Sequence, residues 1–468
     1  MTELTTESKI AVQREKVFAE NPALELVAPC KVGEGIFRPS VQQKEQFVVR
    51  FITEAKQLTF FIPASGAGSR MFQFLYEFLE APNDENRAQA ERFINSIEDF
   101  AFFKSLPLTL RQSIIKDEVE IEALVSYLLS KEGLNFSVLP KGLVPFHIAD
   151  PFVLNPFQEH LLQGAKLEVE ETKFHFTIQS NYNDQIKKSI SFAEGMFGQN
   201  FHISFSEQYK ETDSYAFLED QSILLDSKGE AVTRPAGHGA LLENLNALNE
   251  ELIFVKNIDN VQHFSKSAMS VEAWQMLGGI ILEFRKQAKK LYAEPDEARL
   301  KELNETFQVF SDLDLTDQLS SDEIRNMLNR PIRVCGMVKN EGQPGGGPFW
   351  VRDKGRISKQ IVEKAQISST GEQFRLMVQS THFNPVIMAL CPISMEDEKF
   401  DLNDFKDPSK YFIVNKTQQG KKIKYMELPG LWNGSMANWN TIFVELPSSV
   451  FSPVKTVLDL LGDQHNIK

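Results

Sequence analysis

Residues 58–72 read "LTFFIPASGAGSRMF", and the fold turns on them. An apolar, aromatic run climbs into a small-residue loop, Ser65-Gly66-Ala67-Gly68-Ser69. It leaves through Arg70 into a second apolar segment, "MFQFLYEFLE". Strand, tight glycine loop and helix in that order is a common way to present backbone N–H groups to a phosphate. The Lys-Ser/Thr ending of a P-loop is missing, and so are the third glycine and the acidic residue of a dinucleotide fingerprint. The loop therefore reads equally well as a phosphate cradle with a guanidinium beside it or as a sharp structural turn.

Outward from that loop, strands and helices alternate. "FHFTIQS" near 174, "FHISFSE" near 201, "EELIFVKNIDN", "IRVCGMV", "RLMVQS" and "WNTIFVELP" have the apolar character of strands. "SILLDSKGEAVT" carries a Ser-Lys-Gly turn suited to a hairpin. "SVQQKEQFVVRFITEAK" and "MSVEAWQMLGGIILEFRKQAKKLYAE" have helical spacing. The expected fold class is α/β: a mainly parallel mixed sheet flanked by helices, Rossmann-like, with helical insertions. Residues 1–57 read as a helical N-terminal extension and 58–450 as one α/β domain. Helical insertions fall near 81–138 and 264–330, and 451–468 is a C-terminal segment.

Bulk composition narrows the function. The chain has 468 residues, 42% hydrophobic and 24% charged, which is ordinary for a globular protein. A net charge of −14 argues against a nucleic-acid surface, which needs a basic patch. Cys30, Cys335 and Cys391 are odd in number and far apart, so neither a disulfide framework nor a zinc site is expected. The polar start "MTELTTESKIAVQREK" has no signal-peptide core, and no long apolar run suggests a membrane span. A cytoplasmic location is expected.

Three more stretches bear on the glycine loop. In "LPKGLVPFH", 139–147, Lys141 stands between proline and glycine, either as a fixed cation or as a solvated loop lysine. In "RPAGHGALLENL", 234–245, Gly237 and Gly239 flank His238 and run into a helix; backbone there could lie against a base or phosphate, while His238 itself reads as a hydrogen-bonded structural residue. In "LIFVKNIDNV", 252–261, Asp259 follows a buried strand, where open α/β sheets place ligands. A hard oxygen there suits Mg²⁺, and a turn-forming Asn/Asp cluster is the competing account.

Taken in order, these stretches resemble the UDP-sugar pyrophosphorylase group of nucleotidyltransferases. That group carries a G-G-x-G-T-R loop, a P-K-G or P-K-S lysine, P-x-G-H-G or P-x-G-N-G, and an N-x-D-N strand end. "FSPVKTVLDLLGD", 451–463, is similar to its F-x-P-V-K-T-x-x-D-L-L segment. Ser65 and Ser69 replace the group's first loop glycine and its threonine, and nearly seventy residues separate Arg70 from Lys141. "PASGAGSRM" with "PGGGPFWV" and "PGLWNGSMANWN" also resembles a bacterial family of unknown function, number 4301.

The resemblance implies a nucleotidyltransferase joining a nucleoside triphosphate, UTP in preference, to a sugar-1-phosphate with release of pyrophosphate. It implies Arg70, Lys141 and Lys455 as catalytic residues. Residues Ser65, Gly66, Ala67, Gly68 and Ser69 would hold phosphates through their N–H groups, with Gly237, His238 and Gly239 beside the base. Asp259 would hold Mg²⁺, and Glu445 is a candidate second acid. The alternatives are a catalytically inactive nucleotide or nucleotide-sugar binder and a glycosyltransferase on the same fold. Neither nucleic acid nor membrane is expected as a partner.

Overall fold

In the computed structural model, residues 6–19, 24–315, 318–342, 345–418 and 420–466 are described. The chain divides into two compact units, each assembled from three stretches. The first comprises 1–55, 208–254 and 276–447; the second comprises 56–207, 255–275 and 448–468. This division and the sequence-based one at 57/58 and 450/451 cut the chain differently.

The second unit holds the glycine loop. "QLTFFIP" forms the strand Gln57–Pro63, pairing in parallel with Glu171–Thr177, which pairs in parallel with His202–Ser206. The helices Pro156–Gly164 and Asn183–Phe197 lie between these strands in sequence, as parallel crossovers require. Phe60 stacks on its register partner Phe174 at 5.5 Å. Every residue of Pro156–Gly164 is buried, so Gln158, Glu159, His160 and Gln163 are interior polar groups.

The helix Gln73–Glu80 follows the loop, and the stretch read as an insertion near 81–138 holds the helices Asp84–Asn95, Leu108–Ile115 and Ile121–Leu129. Phe72, Phe74, Phe93, Phe100, Phe102 and Phe136 build a core for it. Phe136, at its end, stacks on Phe72, at its start, at 5.1 Å. The insertion therefore leaves and rejoins the unit at one place. That is how a long detour in sequence need not separate Arg70 from Lys141.

In the first unit, the strands Gly35–Phe37, Asn440–Glu445, Ile332–Lys339 and Ile387–Cys391 lie side by side. The first two pairings are parallel and the last antiparallel. All but the last residue of Ile332–Lys339 are buried, which accounts for the unbroken apolar character of "IRVCGMV". The helix Val41–Glu54 starts on a Ser40/Gln43 capping box. It lies so close to Gly279, in the helix Ala268–Ala293, that a Cβ there would sit 1.9 Å from the Phe47 carbonyl oxygen.

One strand expected from the sequence is absent. "RLMVQS" is not a strand; its first four residues form the last turn of the helix Gly371–Val378. The Gln373 side chain accepts from Leu26 N at 2.7 Å and donates to Leu26 O at 3.2 Å, so one helical glutamine does what a neighbouring strand would do. Between the helices Thr6–Phe18 and Val41–Glu54, the N-terminal stretch also holds the strands Glu25–Pro29 and Gly35–Phe37. Their partners, Gly347–Asp353 and Asn440–Glu445, lie hundreds of residues away, so no local pattern announces them. The Ser-Lys-Gly turn is present: Asp226 Oδ1 accepts from Lys228 N and Glu230 N, and Gly229 takes φ 81°.

Among the described residues no helix is long and apolar enough to cross a membrane. Cys30, Cys335 and Cys391 are all free and buried.

Candidate active site

Lys141 and Lys455 meet on one carboxylate oxygen. Lys141 Nζ lies 3.0 Å and Lys455 Nζ 3.3 Å from Asp259 Oδ2, although the lysines stand 118 and 196 residues from it in sequence. Each is delivered by its own local structure, and all three belong to the second unit.

Lys141 opens a 3-10 turn, Lys141–Leu143, after Pro140. Its N–H donates to Gly66 O at 3.1 Å, and Gly68 N–H donates to Leu139 O at 2.8 Å. The glycine loop and the Pro-Lys-Gly turn are therefore laced together. Gly142 is required because a Cβ there would sit 2.5 Å from the ring of buried Phe157. Gly142→Ala is expected to cost about 1–3 kcal/mol through overpacking. Urea denaturation would show it, and Phe157→Leu in the same chain should recover part of the loss.

Asp259 ends the segment after the strand Ile253–Lys256. Its carbonyl accepts from Val454 N–H at 2.9 Å, and Asn260 Oδ1 accepts from Ser452 N–H at 3.0 Å. The C-terminal segment is thereby zipped along residues 259–260, with Lys455 next in line. Asp459 Oδ2 accepts from both Lys455 N and Thr456 N at 2.7 Å. Thr456-x-x-Asp459 is a capping box readable in the sequence, and it holds the backbone that presents Lys455.

The electrostatics follow from burial. The Asp259 side chain is 11% exposed, Lys141 13% and Lys455 53%. Burial alone would push the Asp259 carboxyl up, but the two ammonium groups outweigh it and hold the carboxyl below its ordinary range. Lys141 Nζ also donates to Val454 O at 2.8 Å, so it is the more firmly held of the two cations.

The loop itself departs from expectation at one position. Gly68 is buried and spends its N–H on Leu139, so it is not available to a phosphate. It is a glycine of close chain approach, since a Cβ would lie 3.1 Å from Leu139 O. Gly66 and Ala67 are exposed, and a Cβ on Gly66 would meet open space. Ser65 is half-buried, and its carbonyl accepts from Gln179 Nε2 at 2.5 Å. Ser69 is half-buried; Arg70 is exposed and forms no ion pair among the described residues.

Gly237, His238 and Gly239 belong to the first unit. Gly237 has φ 71°, and a Cβ would meet Glu427 Oε2 at 2.6 Å; on Gly239 it would meet Pro429 O at 2.1 Å. These glycines let the loop lie against residues 427–429. The His238 ring stacks on Trp432 at 4.0 Å, and its Nδ1 accepts from Leu431 N–H at 2.9 Å. Burial lowers its pKa to about 4, so the ring is neutral at pH 7. Glu445, also in the first unit, is committed elsewhere: Oε1 accepts from Arg38 Nη2 at 2.7 Å and lies 3.5 Å from His382 Nε2. The run Gly345–Gly347 is packed tightly, each Cβ position falling within 2.7 Å of a side chain, while residues 343–344 of that stretch lie outside the described residues.

Sequence reasoning missed a buried polar chain in the second unit. His147 Nδ1 lies 2.6 Å from Glu159 Oε1, and His147 Nε2 lies 2.9 Å from His465 Nδ1. His160 Nε2 donates to Ile258 O at 3.1 Å, immediately before Asp259. Lys256 Nζ donates to Gln163 Oε1 at 3.2 Å. Burial lowers His147, His160 and His465 to about 3 and raises Glu159 to about 8. "PFQEHLLQG" gave no sign of this, because adjacent Gln-Glu-His on a helix reads as a solvated face.

Residues 2–466 match a family described as a domain of unknown function, DUF4301. The chain belongs to that family. No curated protein matches it. Among solved structures it is similar to the uridine diphosphate N-acetylglucosamine pyrophosphorylase of Trypanosoma brucei, solved with an inhibitor. The identity is 13% and the TM-score 0.51, over 93% of this chain and 72% of that one. It is also similar to a UDP-glucose pyrophosphorylase of Leishmania major in complex with UDP-glucose, at 13% identity and TM-score 0.43, over 96% and 73% of the two chains. At such identity the first likeness shows the fold alone, and it agrees with the expected nucleotidyltransferase-like α/β class. This chain thus has a UDP-sugar pyrophosphorylase-like fold without the sequence closeness that would carry an activity across.

Proposed function

We propose that this DUF4301 chain is a sugar-1-phosphate nucleotidyltransferase, with UTP the favoured triphosphate. The observation that carries the reading is the convergence of Lys141 and Lys455 on Asp259 Oδ2. In the reaction a sugar-phosphate oxygen attacks the α-phosphorus, an O–P bond forms, and the bond to the β-phosphate oxygen breaks to release pyrophosphate. The nucleophile is already an anion, so no general base is needed, and the work is positioning and charge neutralisation. Lys141, held by Val454 O and braced against the glycine loop, would fix one α-phosphate oxygen. Lys455, half exposed, would swing from Asp259 to the incoming phosphate. Exposed Gly66 and Ala67, with Arg70, would meet the outer phosphates.

The donor set fits Mg²⁺ in its usual nucleotide mode, one protein carboxylate with phosphate oxygens and waters filling the remaining positions. Asp259, ionised and carrying hard oxygens, is the residue that would hold it. When bound, the ion would neutralise charge on the phosphates.

The test is pyrophosphate release with each of the four nucleoside triphosphates, Mg²⁺ and a panel of sugar-1-phosphates. Release with UTP is expected. Lys455→Ala, a change at a half-exposed side chain, should lower kcat about 100-fold or more with an unchanged melting temperature. Binding of UTP without any release would replace the transferase by a nucleotide-binding protein. Absence of both would remove the reading altogether.

A further inference from the structure

The turn Gln179-Ser180-Asn181-Tyr182 follows the strand Glu171–Thr177 beside the glycine loop, and no step of the transfer chemistry uses it. The parallel ladder between Gln57–Pro63 and Glu171–Thr177 runs one residue further, Ala64 N–H donating to Thr177 O at 2.9 Å. That extension brings Ser65 within reach of Gln179, whose Nε2 donates to the Ser65 carbonyl at 2.5 Å. Three residues later, the Tyr182 hydroxyl donates to Val138 O at 2.9 Å. One turn therefore holds both the glycine loop and the segment that leads to Lys141, all within the second unit.

What Gln179 holds is a peptide plane. A trans peptide directs its C=O and its N–H to opposite sides, so a donor fixed on the Ser65 carbonyl also fixes the direction of the Gly66 N–H. The next peptide is held in the same way: Lys141 N–H donates to Gly66 O at 3.1 Å and so sets the Ala67 N–H. Neither the Gly66 nor the Ala67 N–H has an acceptor among the described residues, and both residues are exposed. The carbonyl ends of these two peptides are answered by the protein while the N–H ends stay open, which is the polarity that suits an anion.

Gly66 points the same way. It is not one of the left-handed glycines, and a Cβ on it would meet open space, so nothing in the chain itself asks for glycine there. A ligand lying close against the backbone would.

We propose that Gln179 is a positioning residue for the outer phosphates of the nucleoside triphosphate. It acts through the Ser65 peptide rather than on the substrate. By pinning that carbonyl it holds the Gly66 N–H in place before the ligand arrives, so that binding need not order the loop. It thereby sets how far the chain prefers a triphosphate to a monophosphate. Gln179 has this role only if the loop meets the outer phosphates, as in the transferase reading.

The test is calorimetric titration of the full chain with UTP and with UMP, each in Mg²⁺, for the wild type and for Gln179→Met. Methionine keeps the length of the side chain and removes the donor; Gln179 is half-buried and neutral, so its loss strands no charge. UMP lacks the phosphates that the loop would hold and reports on the rest of the site. Gln179→Met is expected to weaken UTP about ten-fold, the worth of one hydrogen bond, with UMP affinity and melting temperature unchanged. Gln179→Asn, which keeps the amide but withdraws it from the Ser65 carbonyl, should reproduce that loss. If the wild type binds UTP and Gln179→Met binds it equally well, the positioning role is overturned and the transferase reading stands. Equal losses for UTP and UMP would overturn it too, since Gln179 would then support the unit as a whole. A wild type that binds no UTP would remove the transferase reading and this role with it.

Discussion

Asp259→Ala is expected to destabilise the second unit by about 2–4 kcal/mol and to abolish pyrophosphate release. Pairing it with Lys141→Met should restore most of the stability and none of the turnover. Unequal burial of the two lysines sets the effect. Lys141 is 13% exposed and would keep only the Val454 carbonyl once the carboxylate is gone, with a second ammonium nearby. Lys455 is 53% exposed and turns to water, so it adds little to the cost. Removing one partner of a buried pair is expensive because the other charge is left uncompensated, whereas removing both is close to neutral. Urea denaturation of the wild type, both single variants and the double variant gives the stability arm. Pyrophosphate release gives the other, where a loss of about 1,000-fold or more is expected if Asp259 organises the phosphates. A single Asp259→Ala variant as stable as wild type would mean the lysines are not held as described. Full turnover in it would remove Asp259 from the chemistry.

The same residues show what a sequence can and cannot disclose. The strand Gln57–Pro63, the helix Val41–Glu54 and the capping box at Thr456 are local events, set by apolar spacing and short-range caps, and they are legible. That Lys141, Asp259 and Lys455 share one oxygen is not local. It depends on an insertion that returns to its own start through Phe72 and Phe136 and on a C-terminal segment zipped to Asn260. Motif order alone brought those three residues together before the fold did. Gly68 was misjudged for a related reason: its partner, Leu139, lies beyond the insertion, so the loop looked emptier than it is. "RLMVQS" failed because a short apolar run suits strand and helix alike. The decision lay with the Gln373 side chain and the distant Leu26 backbone. The buried Glu159 and His160 carried no sequence signal, because their helix is enclosed on every side and its polar residues mark no solvent face.

That buried chain sets the second large effect: the protein is expected to lose stability steeply below pH 6.5. His147, His160 and His465 are held down to about 3, each with burial as its first cause. In the unfolded chain they protonate near the ordinary value of about 6.5. Their contribution is therefore present above that pH and is lost as pH falls toward about 3. Glu159 runs the other way. Burial raises it to about 8, with His263, Lys166 and Lys256 opposing, so its contribution is lost as pH rises from 4.5 toward 8. Lys256, lowered by burial to about 7, gains stability as pH climbs above that value and offsets Glu159 on the alkaline side. Within this buried chain, between pH 6 and 5, three histidines oppose one glutamate, a net of two protons; His238 in the first unit, lowered to about 4, acts in the same direction. Between pH 6 and 5, at about 1.4 kcal/mol per proton per pH unit, the two net protons of this buried chain give a slope of about 2–3 kcal/mol per pH unit. Urea midpoints at pH 7, 6 and 5 measure it. His160→Gln keeps a side-chain donor for the Ile258 carbonyl and removes one proton, so its slope should fall to about half that of the wild type. An unchanged slope would mean that His160 titrates normally and is open to water. Because His465 ends the segment that carries Lys455, acid release of that segment should also remove a cation from Asp259. Any loss of turnover between pH 6.5 and 5 should then follow the loss of stability rather than precede it.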